Sequence, residues 1–294
     1  MKNGDPEVKI SEILKNNFTM SFEFFPPKTP EGECELFSNI KRLEELNPSF
    51  ISVTYGAGGS TRDSTRRVVT RIAREEKLNV MAHLTSISHT KNEVLDILGD
   101  YKNVGIDNIM ALRGDRPSGT IIEPLMGEIP HASDLMVIIK ENFGSHFSLG
   151  GAVYTGRHPE SKSWDDELLH LEKKVYSGME FGITQLFFNN RDYYDFTERC
   201  LKRGLNIPII PGIMPVTNFS QIERFSVMCN ANLPVNTVSK MEKYKDNPSE
   251  VEKIGVEFAV EQCLDLIENN VRGIHFYTLN KSKATIKIYN ALQN

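Results

Sequence analysis

Short apolar, β-branched or aromatic runs alternate with longer stretches of helical period along this chain, and the first four such runs begin at residues 20, 50, 79 and 108. Steps of about 30 residues match one strand–helix–strand unit of a parallel sheet. Candidate strands lie at 20–25, 50–54, 79–84, 108–112, 148–153, 185–188, 207–212 and 273–277, eight in all. Between them, Leu36, Ile40 and Leu43 share one helical face, and Leu168, Leu171 and Val175 share another. The stretches Ser60-Thr61-Arg62-Asp63 and Thr90-Lys91-Asn92-Glu93 each place a hydroxyl three residues before a carboxylate, which satisfies orphan amide donors at a helix start.

Parallel strands need right-handed crossovers, and both faces of their sheet must be covered. Eight β-then-α repeats therefore predict an α/β fold, a (βα)8 TIM barrel with its helices outside. An open doubly wound sheet is the alternative, but no G-x-G-x-x-G follows the first strand; Gly56-Ala57-Gly58-Gly59 follows the second. The 294 residues suit one barrel domain over 1–294, with an N-terminal helix or arm at 1–18. Extra helices at 218–228 and 249–269 lie between strands 7 and 8, within an elaboration over 213–272, and a polar connection at 230–248 joins them. A Pro/Gly-rich loop runs from Leu112 to Pro130, the kind of long loop that forms sites.

Composition removes several function classes. The net charge is −5 without a block of like charge, which argues against nucleic acid as a partner. No run reaches the ~20 apolar residues of a membrane span, and the charged N-terminus carries no secretory core, so a cytoplasmic protein is expected. Cys34, Cys200, Cys229 and Cys263 form no C-x-x-C pair and read as free thiols in a reducing compartment.

In such a barrel the chemistry sits at the C-terminal ends of the strands. The polar residues there are Glu23, Thr54 with Tyr55, His83, Arg113 with Asp115, Tyr154, Gln185 and Tyr277. Glu23 alternates with Phe22 and Phe24, so it faces the lumen as one acid in apolar surroundings, and burial should raise its pKa toward that of a general acid. A paired structural carboxylate fits the same pattern. Arg113-Gly114-Asp115 offers a donor fork, a close backbone approach and an acceptor, or else an internal Arg113–Asp115 ion pair. His83 and His158 read more simply as hydrogen-bonding residues than as proton-transfer groups, and no spacing of ligands suits a metal. Lys173 and Lys174, on a helix with Glu167 and His170, either reach the phosphates of a nucleotide or form a solvated face. Arg62, Arg66, Arg67, Arg71 and Arg74 read as a solvated outer face. Phe219 and Phe225 are core, or a stacking surface beside Gln221 at the mouth.

The motifs SFEFFPPK, VTYGAGGS after the second strand, AHLT at the third, ALRGD at the fourth, TQLFFN at the sixth, IIPGIMPVTNF at the seventh and HFYTLN at the eighth occur in order. Together they resemble methylenetetrahydrofolate reductase from about Met20 to the C-terminus, in its compact bacterial form. The resemblance implies an FAD-dependent barrel that reduces 5,10-methylenetetrahydrofolate to 5-methyltetrahydrofolate, with a reduced nicotinamide (NADH, NADPH) and the folate using one flavin face in turn. It also implies a homo-oligomer, and in some relatives an additional electron-delivery subunit. Glu23 matches the family's acid, placed to protonate N5 of the folate so that the imidazolidine ring opens to the iminium that accepts hydride. Asp115 matches the carboxylate that orients folate and adjusts the flavin. Thr54, Tyr55, Ala57, His83, Arg113, Gly114, Ala132, Tyr154, His158, Glu167, His170, Lys173 and Lys174 fall on FAD-contacting positions. Gln185, Gln221, Phe225, Leu279 and Lys281 fall on positions that contact folate and nicotinamide. His170, Lys173 and Lys281 stand where related bacterial enzymes often carry asparagine, arginine and arginine. The alternative readings are another flavin barrel oxidoreductase of the proline dehydrogenase kind and a non-catalytic folate-binding subunit of a one-carbon complex.

Overall fold

Strand β1 (Thr19–Phe24) shows how the barrel is built. Its Met20, Phe22 and Phe24 are buried against the surrounding helices, while Ser21 and Glu23 meet histidines of other strands inside. The computed structural model describes residues 9–56, 62–87, 89–115, 128–220, 224–225, 231 and 234–293. Strands β2 (Phe50–Val53), β3 (Val80–Thr85), β4 (Asn108–Leu112), β5 (Ser148–Val153), β6 (Phe181–Thr184), β7 (Ile209–Ile210), β8 (Gly212–Ile213) and β9 (Gly273–Tyr277) follow. All pairings are parallel, in the order β7-β6-β5-β4-β3-β2-β1-β9-β8, which gives the expected α/β barrel, nearly closed.

Two strands differ from expectation. The expected 207–212 appears as β7 and β8, because Pro211 has no N–H to give to a ladder. β7 pairs with β6 and β8 with β9, so one interrupted segment bridges the two edges of the sheet; the Pro211 carbonyl still accepts from His275 N at 3.0 Å. The sixth strand is 181–184, ahead of the expected 185–188. Gly182 weakens its strand pattern, whereas Leu186 and Phe188 are apolar because they leave the barrel to pack beneath the inserted helices.

The α-helices are α1 (Ile10–Asn16), α2 (Pro30–Glu44), α3 (Arg62–Arg71), α4 (Lys91–Asn103), α5 (Ala132–Phe143), α6 (Trp164–Tyr176), α7 (Asn190–Lys202), α8 (Val235–Lys243), α9 (Pro248–Glu268) and α10 (Lys283–Leu292). The expected Leu36, Ile40 and Leu43 face of α2 is buried, and Thr90 caps α4 with a reciprocal capping box to Glu93. The start at Ser60 lies outside the described residues. Arg66, Arg67 and Arg71 of α3 pair with Asp100, Glu33 and Glu75, as a solvated face should. Cys34 is exposed and Cys200 and Cys263 are buried, all free; Cys229 lies outside the described residues. Among the described residues no helix is long and apolar enough to cross a membrane.

Helix α1 closes the bottom of the lumen. Ile10 and Leu14 pack on Phe50, Met81, Met110, Phe181, Ile183 and Ile210, and Ile10 N donates to Asn108 Oδ1 at 2.8 Å. The other end carries the insertion. α9 covers the expected 249–269, and the expected 218–228 lies partly outside the described residues. The connection at 230–248 holds a helix, α8, where a polar linker was expected; its period is masked because Met241 is its one buried residue. Met241 joins Leu186, Phe188, Met214 and Val216 in a separate apolar cluster over the mouth.

Gly255 lets α9 lie against the strand-end loop: a Cβ there would stand 1.9 Å from the Val216 carbonyl oxygen. Gly255→Ala should therefore destabilise the protein by about 1–3 kcal/mol. Gly99, in α4 with open space around it, should gain about 0.5–1 kcal/mol on change to alanine. Urea midpoints of the two variants check the pair, and equal shifts would contradict this packing.

Candidate active site

Above the apolar floor the lumen becomes polar. Glu23, on β1, points its Oε2 at His83 Nε2 of β3 and His275 Nε2 of β9, each 3.4 Å away. Ser52 Oγ lies 2.7 Å from His83 Nε2, and Ser21 Oγ lies 2.8 Å from His275 Nδ1. His275 is fully buried, His83 nearly so, and the Glu23 side chain keeps 18% of its surface open. Tyr277 stands edge-on to His275, and its hydroxyl reaches past Gly212 to donate to the Thr184 carbonyl.

Strand alternation foresaw the direction of Glu23 but not its neighbours. His275 lies two residues before Tyr277 on β9, and the i, i+2 rule that places Glu23 inside places His275 there too. Its company also corrects the expected pKa. Burial is the largest influence and pushes the Glu23 carboxyl up, but the hydrogen bond from His275 and the fields of His83 and His275 together hold it below its ordinary value. His83 is pushed down to about 4, because burial outweighs the attraction of Glu23.

A second group surrounds the ends of β4 and β5. Arg113 donates to Glu160 through two nitrogens, at 2.6 and 3.2 Å, so its ion pair is with Glu160, while Asp115 is exposed. Gly114 holds a φ of 87°, and a Cβ there would stand 2.7 Å from the Ile87 side chain and 2.9 Å from that of Thr85. Tyr154 and His158 meet edge to face at 4.8 Å. Glu167 is buried and accepts from His158 N and Ser161 Oγ. The Lys174 ammonium donates to the Ala152 carbonyl at 2.6 Å and is pushed down to about 8 by burial, against the pull of Glu167. His170 and Lys173 of the same helix are exposed, and His170 pairs with Asp166. Tyr55 is buried with its hydroxyl on His89 at 3.0 Å, Thr54 is half-buried, and Ala132 begins α5. Ala57 and Gln221 lie outside the described residues.

The remaining positions line two cavities at the mouth. One of about 240 Å³ gathers Phe225, Leu279 and Lys281 with Phe25. The other, of about 290 Å³, holds Gln185 with Tyr154 and Trp164.

The family model of methylenetetrahydrofolate reductase matches residues 9–293. The chain belongs to the methylenetetrahydrofolate reductase family. That places it among the oxidoreductases of folate one-carbon metabolism. The 5,10-methylenetetrahydrofolate reductase of Salmonella typhimurium is 40% identical over 280 residues, covering 95% of this chain and 92% of that one. Its counterpart in Escherichia coli is 38% identical over 279 residues, with the same coverage. Methylenetetrahydrofolate reductase (NADH) 1 of Arabidopsis thaliana is 34% identical over 291 residues, 95% of this chain and 49% of the plant protein. Among solved structures, a Clostridium thermocellum protein that binds two copies of 5-methyl-5,6,7,8-tetrahydrofolic acid superposes with a TM-score of 0.61 at 15% identity, over 96% of this chain and 97% of that one. At that identity the likeness shows the shared barrel.

His83 makes stability depend on pH with a definite sign. Its folded value is depressed from 6.5 to about 4, so between those values the unfolded chain binds a proton that the folded protein excludes. Its contribution is complete above pH 6.5 and is lost as pH falls toward 4, a change of about 3 kcal/mol. Urea unfolding at pH 7 and pH 4.5 should show a smaller loss for His83→Gln than for the parent protein; an equal loss would contradict the assignment.

Proposed function

We propose that this protein reduces 5,10-methylenetetrahydrofolate to 5-methyltetrahydrofolate, with FAD as its resident cofactor and a reduced nicotinamide as electron donor. The observation that carries this reading is Glu23, one lumen carboxylate at the mouth of a barrel of this family, held by two imidazoles and still open on one side. When bound, FAD supplies the two-electron chemistry between donor and folate.

The residues present suit such a group. Thr85 Oγ1 is buried at the top of β3 without a hydrogen-bond partner among the described residues, beside the close backbone approach at Gly114. Arg113 and the half-buried Lys174 would balance a diphosphate, with Tyr154 and His158 beside them. Thr54, Tyr55, Ala57, Ala132, Glu167, His170 and Lys173 complete the positions proposed to hold it. Phe225, Leu279, Lys281, Gln185 and Gln221 are the residues proposed for folate and nicotinamide, one planar ligand leaving before the next enters.

Glu23 acts as the acid. Opening the imidazolidine ring breaks a carbon–nitrogen bond whose electron pair stays on nitrogen, so a proton must arrive there as the iminium forms. In the open site the two imidazoles keep Glu23 ionised. A folate seated over the mouth expels water, which strengthens the effect of burial and raises the proton affinity of Glu23. Asp115, exposed at the end of β4, would accept from the donor-rich pterin ring.

The test separates the half-reactions. Glu23→Gln should keep its flavin and its anaerobic bleaching by reduced nicotinamide, while reoxidation by methylenetetrahydrofolate slows about 10²–10⁴-fold. Equal loss of both would make Glu23 structural. Asp115→Asn should raise the folate concentration needed for half-maximal reoxidation several-fold, and an unchanged value would remove it from the site.

A further inference from the structure

Both imidazoles that meet Glu23 meet the same oxygen. His83 Nε2 and His275 Nε2 each lie 3.4 Å from Oε2, and no hydrogen bond reaches Oε1 among the described residues. The two histidines are not equivalent. His83 turns the same nitrogen toward Ser52 Oγ, which is nearer at 2.7 Å, and among the described residues only His275 makes a hydrogen bond to the Glu23 carboxylate. His275 uses its two nitrogens separately: Nδ1 faces Ser21 Oγ at 2.8 Å, and Nε2 faces Glu23. An ionised carboxylate can only accept, so Nε2 carries the ring proton and Nδ1 accepts from the Ser21 hydroxyl. The His275 ring has little freedom to leave this arrangement. It is fully buried, stacked on Phe50 with centroids 5.9 Å apart and edge-on to Tyr277 at 5.5 Å.

We infer that His275 is the positioning residue of this site: with Ser21 fixing its tautomer, its Nε2–H holds Glu23 Oε2 and leaves the transferable proton on Oε1. The inference rests on Glu23 being the acid. A proton from solvent enters on Oε1, since Oε2 is already engaged by a donor. It leaves for the substrate nitrogen as that nitrogen takes the electron pair of the breaking bond. The negative charge that remains on the carboxylate is met by the His275 N–H, so the acid is stronger than a buried carboxyl without a donor. The groups facing Glu23 from the strands packed against it are His83 of β3 and His275 of β9, with the Tyr277 hydroxyl engaged at Thr184.

The test is the pH dependence of flavin reoxidation by methylenetetrahydrofolate in the holoenzyme, measured for His275→Leu, His275→Gln and Ser21→Ala. In the parent protein the rate falls as pH rises through the acid's apparent pKa. His275→Leu removes the donor, so the inflection should move to higher pH by about one unit and the low-pH plateau should fall about tenfold. His275→Gln restores an N–H and should return the inflection toward that of the parent. Ser21→Ala, a smaller change that spares the ring, should move it in the same direction as His275→Leu but less. Flavin content and the nicotinamide half-reaction should stay within twofold throughout. An inflection unmoved in His275→Leu, or moved equally in the leucine and glutamine variants, overturns the inference. Glu23→Gln distinguishes this outcome from failure of the acid assignment: an inflection that survives that substitution sinks the acid role itself, whereas one that vanishes leaves only the role of His275 in question.

Discussion

The structure turns on one carboxylate placed where a carboxylate is expensive. Glu23 sits inside a parallel barrel above an apolar floor, and it is tolerated because β3 and β9 each bring an imidazole to one of its oxygens. The serines of neighbouring positions then satisfy the imidazoles: Ser52 serves His83, and Ser21 serves His275. Five side chains from four strands thus depend on one another, and the strand register keeps them together. Glu23 stands opposite Ser52 on one side and Tyr277 on the other, and Ser21 stands opposite His275. A slip of one residue in β1 would turn Glu23 toward the helices and Phe22 and Phe24 into the lumen.

The rest of the fold serves that layer from both ends. Below it, α1 seals the lumen with Ile10 and Leu14 packed on the apolar floor. Above it, the insertion builds an apolar rim from Met214, Val216 and Met241, with Phe225 and Leu279 packed on it. A planar ligand entering there meets aromatic and aliphatic walls first and the carboxylate last. The same burial that depresses His83 to about 4 keeps its ring neutral at physiological pH, so the carboxylate is steadied by hydrogen bonding more than by full charges.

How much of this the sequence disclosed depended on how local each feature was. Glu23 was legible because Phe22 and Phe24 flank it, and alternation in a strand needs only neighbours. His275 follows from the same rule, but the partners that give its ring a role lie 252 and 254 residues away. The sign of the Glu23 pKa was illegible for that reason: burial can be guessed from one strand, whereas its compensation comes from two others. An Arg113–Asp115 ion pair was the alternative open from the sequence, and Arg113 instead pairs with Glu160 in the next strand-to-helix loop. The sixth strand was displaced because Leu186 and Phe188 owe their apolar character to the inserted helices, which no local period announces.

Under the proposed function, Glu23 is ionised in the open site and gains its proton when folate covers the mouth. Infrared difference spectroscopy on holoenzyme carrying ¹³C-labelled glutamate reads this directly, with methylenetetrahydrofolate added at pH 7 while the flavin is held oxidised so that no turnover occurs. The predicted result is loss of a carboxylate band and appearance of a protonated carboxyl band on ligand addition, both missing in Glu23→Gln. A Glu23 carboxyl already protonated before the ligand arrives, or one that stays ionised after it, would contradict the account.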